Sequence, residues 1–286
     1  MTPISRRRAV GLSVQTGLVA IVGSSAAASR GQPVATPPPT APATPAAAPV
    51  YSTGSAVPWD GFPRQNLDWA REVVGASHGN EAKVRELVTD HPALANAVWD
   101  WGFGDWETAL GAAAHTGRRS IAEFLISKGA RVDLFAAAML GYLDVVKGLV
   151  EASPGIQKTR GPHGIHLLAH AKAGGDQAAK VVEYLESVGG AGDPIPTQPI
   201  TPEERGKYTG QYAYGPGPTD RFNVLVEKDA LWIERPGYAK RGLNHVGNDE
   251  FFPAGSAAVR IRFDLASAVR TLTVVDGSMS IAATAL

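Results

Sequence analysis

Four glycines, Gly79, Gly117, Gly141 and Gly174, each follow an alanine by three residues: Ala76, Ala114, Ala138 and Ala171. Downstream of each glycine, apolar residues return at helical spacing: Val84, Leu87 and Val88; Ile121, Phe124 and Leu125; Val145, Val146 and Leu149; Val181, Val182 and Leu185. A helix, a glycine turn and a second helix recurring in one phase form a unit that cannot bury its apolar face alone, so copies must stack. The alanine has a physical role, since neighbouring helices in such a stack approach too closely there for a larger side chain. The glycines are separated by 38, 24 and 33 residues. The short middle step predicts almost no connecting finger between the second and third units, with Arg131-Val132-Asp133 leading straight into Leu134. The long first step predicts an enlarged finger over Asn96–Asp105, with the aromatic cluster Trp99, Trp101, Phe103 and Trp106 on it.

The segment Asp105–Asp133 carries the most specific pattern. Thr108-Ala109-Leu110-Gly111-Ala112-Ala113-Ala114, then Gly117, then Ile121-Ala122-Glu123-Phe124-Leu125-Ile126-Ser127-Lys128-Gly129-Ala130 resembles an ankyrin repeat, with its two helices, glycine turn and closing Gly-Ala. The resemblance implies a short α-solenoid over residues 63–192, offering an extended binding surface rather than a catalytic cleft.

Ahead of this region, Ser5-Arg6-Arg7-Arg8-Ala9-Val10 precedes a mildly apolar stretch, Gly11–Gly23, and the small residues Ala26-Ala27-Ala28. A charged, apolar, small-residue progression is the signature of a cleavable export signal. The paired arginines resemble a twin-arginine signal, so residues 1–28 are expected to be removed and the protein to be periplasmic or secreted. The alternative is a retained anchor, for which the apolar run falls short of the ~20 residues that cross a bilayer. Residues 29–62, rich in Pro, Ala and Thr, read as a disordered tether. The formal net charge of the whole chain is zero, and loss of Arg6, Arg7 and Arg8 leaves the remainder mildly acidic, without a basic stripe that would suit nucleic acid. There is no cysteine, which excludes thiol catalysis and cysteine-ligated zinc.

Past Gly192, the four prolines in 193–202 mark a linker (193–200). From there, short β-branched and aromatic runs alternate with turns: Lys207–Tyr214, Arg221–Lys228, Ala230–Glu234, Gly242–Val246, Val259–Asp264, Val269–Val275 and Ser278–Ala285. That spacing predicts an antiparallel sheet or small barrel over 201–286. Val259-Arg260-Ile261-Arg262-Phe263 alternates strictly, placing three apolar side chains on one face. Tyr208-Thr209-Gly210-Gln211-Tyr212, Leu231-Trp232, Glu250-Phe251, Arg262-Phe263-Asp264 and Val269 look like the small β-barrel that follows serine β-lactamase-like hydrolase domains in bacterial envelope proteins. This resemblance implies a barrel fold and an accessory role. The fold class expected is therefore α + β, a short ankyrin-like α-solenoid followed by a small antiparallel β-barrel or sheet.

No Ser-x-x-Lys, Gly-x-Ser-x-Gly or His-Glu-x-x-His occurs. No catalytic residue, metal or cofactor is expected on that basis. The histidines His163, His166 and His170 cluster after Gly161-Pro162, with His166 and His170 four apart on a helix. Structural packing is the plain reading, and a ligand or metal site there, or in the barrel mouth, is the alternative. Asp100 and Asp105 read as solvated charges. The expected function is non-catalytic recognition of a protein or peptide, with Trp99, Trp101, Phe103, Trp106, His163 and His166 as contact residues. The alternative is an accessory, ligand-binding or metal-binding component of an envelope hydrolase system.

Overall fold

The computed structural model describes residues 65–286. The export signal and tether read from the sequence lie outside the described residues. Among the described residues, no helix is long and apolar enough to cross a membrane.

Among the described residues, eight α-helices come first, in four pairs: α1 (Leu67–Ala76) with α2 (Glu81–Asp90), α3 (Ala109–His115) with α4 (Arg119–Ser127), α5 (Leu134–Leu140) with α6 (Leu143–Ala152), and α7 (Leu167–Ala173) with α8 (Ala179–Val188). The first helix of every pair is capped by a side chain that satisfies an orphan backbone donor. The caps are Asn66, Thr108, Asp133 and His166. Between the first and second pairs stands a two-stranded finger, β1 (Val98–Asp100) and β2 (Trp106–Thr108), in register Trp99↔Glu107.

The inner helices do not extend as a straight row. Each of α3, α5 and α7 contacts the other two, while α1 packs on α3. Small residues allow this convergence: Ala112, Ala113 and Ala114 in α3, Ala136, Ala137 and Ala138 in α5 and Ala171 in α7 are all fully buried. Two turn glycines lie against neighbouring backbone. A Cβ on Gly117 (φ 67°) would sit 2.4 Å from the Ala173 carbonyl oxygen, and one on Gly141 (φ 76°) 2.2 Å from that of Gln177. Such distances admit no side chain.

A ninth helix, α9 (Pro202–Tyr208), opens the C-terminal part, where the sequence pattern suggested a strand from Lys207. Its start is fixed by a capping box, with Thr201 and Glu204 bonding each other's backbone and Pro202 in the first turn. Eight antiparallel strands follow: β3 (Gly210–Ala213), β4 (Arg221–Glu227), β5 (Ala230–Glu234), β6 (Arg241–Gly247), β7 (Glu250–Pro253), β8 (Arg260–Asp264), β9 (Thr271–Asp276) and β10 (Met279–Ala285). Each pairs with the next, and β10 returns to β3 through Thr284↔Ala213 and Ala285↔Tyr212, closing the barrel. The seven expected runs become eight strands because Glu250–Pro253, too short to stand out in the sequence, pairs with β6 and β8. Val259, Ile261 and Phe263 do face inward, joining Tyr212, Phe222, Phe251 and Leu272. The barrel interior is thus filled by side chains rather than hollow. Helices and barrel belong to one compact unit.

Gly141→Ala should lower stability by about 2–5 kcal/mol, the sum of a left-handed backbone penalty and an overpacked contact. Urea denaturation followed by circular dichroism checks this. His170 supplies a pH-dependent counterpart. It is completely buried, its Nε2 has no hydrogen-bond partner, and burial lowers its pKa from 6.5 to about 4. A group held neutral in this way contributes stability above pH 6.5 that is lost as pH falls toward 4, up to about 3 kcal/mol. His170→Gln should flatten the acid limb of the stability curve over that window.

Candidate functional site

The centre of the molecule is a carboxylate. Strand alternation in β2 turns Trp106 outward and Glu107 inward, and Glu107 is 1 % exposed. Three imidazoles converge on it from three places in the chain. His78 lies in the turn after α1, His115 is the last residue of α3, and His163 sits in the single 3-10 turn Pro162–Gly164 before α7. Nε2 of His115 is 3.0 Å from Glu107 Oε1, Nε2 of His163 is 3.3 Å from the same oxygen, and Nε2 of His78 is 3.4 Å from Oε2. One donor atom from each of the four residues lies within 4.8 Å of every other.

The rings are aimed from behind. The Nδ1 of His78 faces the Gly75 carbonyl at 3.0 Å, and that of His163 faces Asp105 Oδ2 at 2.7 Å. A carbonyl and a carboxylate accept, so in both rings Nδ1 carries the proton and Nε2 turns toward Glu107. An unprotonated Nε2 beside a carboxylate oxygen sets lone pair against lone pair. Positive charge between them, a proton or a metal ion, is what makes the arrangement favourable. Glu107 Oε1 and His115 Nε2 are 3.0 Å apart and buried, yet neither has a well-directed hydrogen-bond partner. Trp101 Nε1 donates to Glu107 Oε2 at 2.7 Å, fixing the carboxylate plane.

Electrostatics follow from this packing. Burial alone would push the Glu107 carboxyl up, but His115, His163 and His78 outweigh it and hold the pKa at about 2. Asp105 and then Glu107 raise that of His163 to about 9. His163 also adopts a left-handed backbone (φ 58°, ψ 17°), uncommon for a residue with a Cβ, and its backbone N–H donates to Asp105 Oδ1 at 2.8 Å. Asp105 is itself buried and paired with Arg241 of β6, Nη1 to Oδ2 at 2.9 Å. The reading of Asp105 as a solvated charge is therefore corrected: the barrel covers it. Asp100 behaves locally, accepting from the Gly102 N–H at 2.8 Å.

Of the residues read from the sequence as contacts, Trp99 and Trp101 pack against the helical core, and Phe103 stacks on Phe222 of the barrel with ring centroids 6.4 Å apart. Trp106 stands out at 63 % exposed. His163 belongs to the cluster. His166 does not: its Nδ1 accepts from the Ala169 N–H and caps α7, and burial lowers its pKa. His170 packs on Phe135. Sequence reasoning missed His78, Glu107 and His115. A signal for two of them was present, since His78 and His115 both fall between the alanine and the glycine of successive units. A cavity of about 310 Å³ adjoins Asp105 on the side of Trp106, Thr108, Phe135 and Arg160, and none of the three clustered histidines lines it.

A scan against protein-family models finds no match, and a search of curated proteins finds none either. The site is accordingly read from its own geometry.

In metal-free protein, Glu107→Gln should cost about 3–5 kcal/mol, because it strips the countercharge from a buried cluster of imidazoles. Chemical denaturation of protein prepared with chelator gives the measurement.

Proposed function

We propose that this chain is a metal-binding protein, with His78, Glu107, His115 and His163 holding one divalent first-row ion. The observation that carries the reading is the convergence of three Nε2 atoms on one buried carboxylate at 3.0–3.4 Å. A tetrahedral ion with ligands at about 2.0–2.1 Å has ligand–ligand edges of about 3.3–3.4 Å; the contacts of His163 with Oε1 and of His78 with Oε2 match that range, and the four donors, all within 4.8 Å of one another, would draw in around the ion. Three imidazoles and a carboxylate, without thiolate, suit zinc first and the neighbouring late first-row ions next. The Nδ1 contacts to Gly75 and Asp105 are the outer hydrogen bonds that metal-bound histidines use to fix their tautomer.

Four protein donors complete a tetrahedron, which makes the ion a cross-link before anything else. It would tie the α1 turn, the finger, the end of α3 and the turn before α7 into one rigid block. In this reading an ankyrin-like set of helix pairs, closed up around its inner helices, serves as scaffold for the ion and the barrel is an accessory domain. Recognition of a protein or peptide partner, the function expected from the repeat pattern, rests on Trp106 among the finger aromatics, since the other three are at least partly packed within the molecule.

Tag-free protein, treated with chelator and dialysed against zinc, should retain one equivalent by elemental analysis. Its unfolding midpoint should rise by about 5–10 °C when free zinc exceeds the Kd about 100-fold. His115→Ala and Glu107→Gln should abolish both effects. Folded wild-type protein that takes up no stoichiometric zinc, manganese, iron, cobalt, nickel or copper would end the reading.

A further inference from the structure

One barrel residue stands behind two of the four proposed ligands, bonded to neither. The Arg241 guanidinium bonds Asp105 Oδ2 through Nη1 at 2.9 Å and the Trp101 carbonyl through Nη2 at 3.2 Å. Asp105 in turn orients His163, accepting from its backbone N–H at 2.8 Å and meeting its Nδ1 at 2.7 Å. Trp101 orients Glu107 through its indole N–H at 2.7 Å. Arg241 therefore anchors, in one side chain, the two groups that aim His163 and Glu107. Its own side chain is only 13 % exposed and that of Asp105 1 %, so this pair is bonded in a largely water-free setting where its geometry is held firmly.

The barrel backbone closes on the same place. Gly255, in the loop between β7 and β8, lies so near that a Cβ there would be 2.8 Å from Asp105 Oδ2 and 3.2 Å from the His163 Cα. Phe103, between Trp101 and Asp105 in the chain, stacks on Phe222 of β4. Three barrel residues, Arg241, Gly255 and Phe222, thus meet the finger loop, whose following strand presents Glu107 to the histidines.

We propose that the barrel regulates the metal centre through Arg241, so that docking of the barrel and uptake of the ion are one coupled equilibrium. The inference rests on the metal-binding reading. When the barrel is seated, Asp105 and Trp101 are fixed and His163 and Glu107 point at a common centre. When it lifts away, His163 loses the support of its left-handed turn and the carboxylate loses its fixed plane, and affinity falls. Coupling of this kind is reciprocal: whatever factor the barrel adds to ion affinity, the ion adds to barrel docking. Arg241 is a positioning residue in this scheme, since its bonds go to Asp105 and Trp101 and not to a proposed ligand.

The test uses the full chain. Zinc affinity is measured by competition with a chromophoric chelator for wild type, Arg241→Met, Arg241→Lys, Asp105→Asn and the Arg241→Met/Asp105→Asn double variant. Arg262→Met, an exposed barrel arginine paired with Glu250 at 2.6 Å and bonded to no residue of the Asp105 network, serves as control. Asp105→Asn, which alters the hydrogen bond made directly to a proposed ligand, should weaken zinc binding about 10–100-fold, and Arg241→Met, one bond further out, should weaken it by less but measurably. Arg241→Lys should recover part of that loss through its single contact to Asp105, and Arg262→Met should bind as wild type. The double variant should lose clearly less than the two single losses combined, since Arg241 and Asp105 share the path to His163 and only the Trp101 branch belongs to Arg241 alone. Hydrogen exchange supplies the reciprocal readout: zinc should slow exchange of the barrel loop 254–256 in wild type and leave it unchanged in Arg241→Met. Should Arg241→Met fail to fold, Arg241→Lys and Asp105→Asn carry the comparison. Wild-type affinity in folded Arg241→Met, or simple additivity in the double variant, overturns the coupling while leaving the metal site standing. Absence of zinc binding in wild type removes the metal reading itself, a different and separately visible result.

Discussion

A carboxylate buried in a protein interior has lost its hydration and must find compensation from the chain around it, or the fold is penalised by several kcal/mol. Glu107 is in that position, and much of the molecule is arranged around supplying what it lacks. The turn after α1, the last residue of α3, the turn before α7 and the indole of Trp101 all deliver a nitrogen to it. Behind them, Asp105 is a second buried acid that draws Arg241 in from the barrel. Two acids in the interior thus organise histidines from three segments and bring a separate β domain into contact with the helices.

That arrangement depends on how closely the inner helices approach one another. His115 ends α3 and His163 precedes α7, two elements that would stand apart in a straight stack of pairs. They meet because α3, α5 and α7 pack mutually, and they pack mutually because alanine and glycine line the contact. The small residues that permit close stacking are therefore also a condition for the site. Packing and chemistry are linked here through side-chain size rather than through any residue the two share.

The parts legible in the sequence are those encoded within a few neighbouring residues. Helix pairs were visible in the Ala-x-x-Gly phase and the apolar returns after it, and the barrel in runs such as Val259–Phe263, whose alternation reports a face directly. α9 was not expected, although Thr201-Pro202-Glu203-Glu204 carries a capping signature, because the prolines pointed to a linker and the aromatic run from Lys207 to a strand. Nor was β7, because four residues ending in proline give no periodicity to detect. The centre was hidden for a different reason. His78, Glu107, His115 and His163 come from separate units, and each looks unremarkable beside its neighbours. Only the packing of α1 and of α7 on α3 makes them a group. Asp105 misled because a Gly-Phe-Gly-Asp stretch has the composition of an exposed loop, and it is the barrel, roughly 140 residues further along the chain, that buries it.

The closure of the barrel has a bearing on assembly. With β10 hydrogen-bonded to β3, this domain has no unpaired strand along its side, so it offers no rail on which another chain could polymerise by backbone pairing. The finger strands are the open ladders that remain among the described residues, and at three residues each they are too brief to template an added strand. Within the described residues, association with another protein is therefore left to side chains.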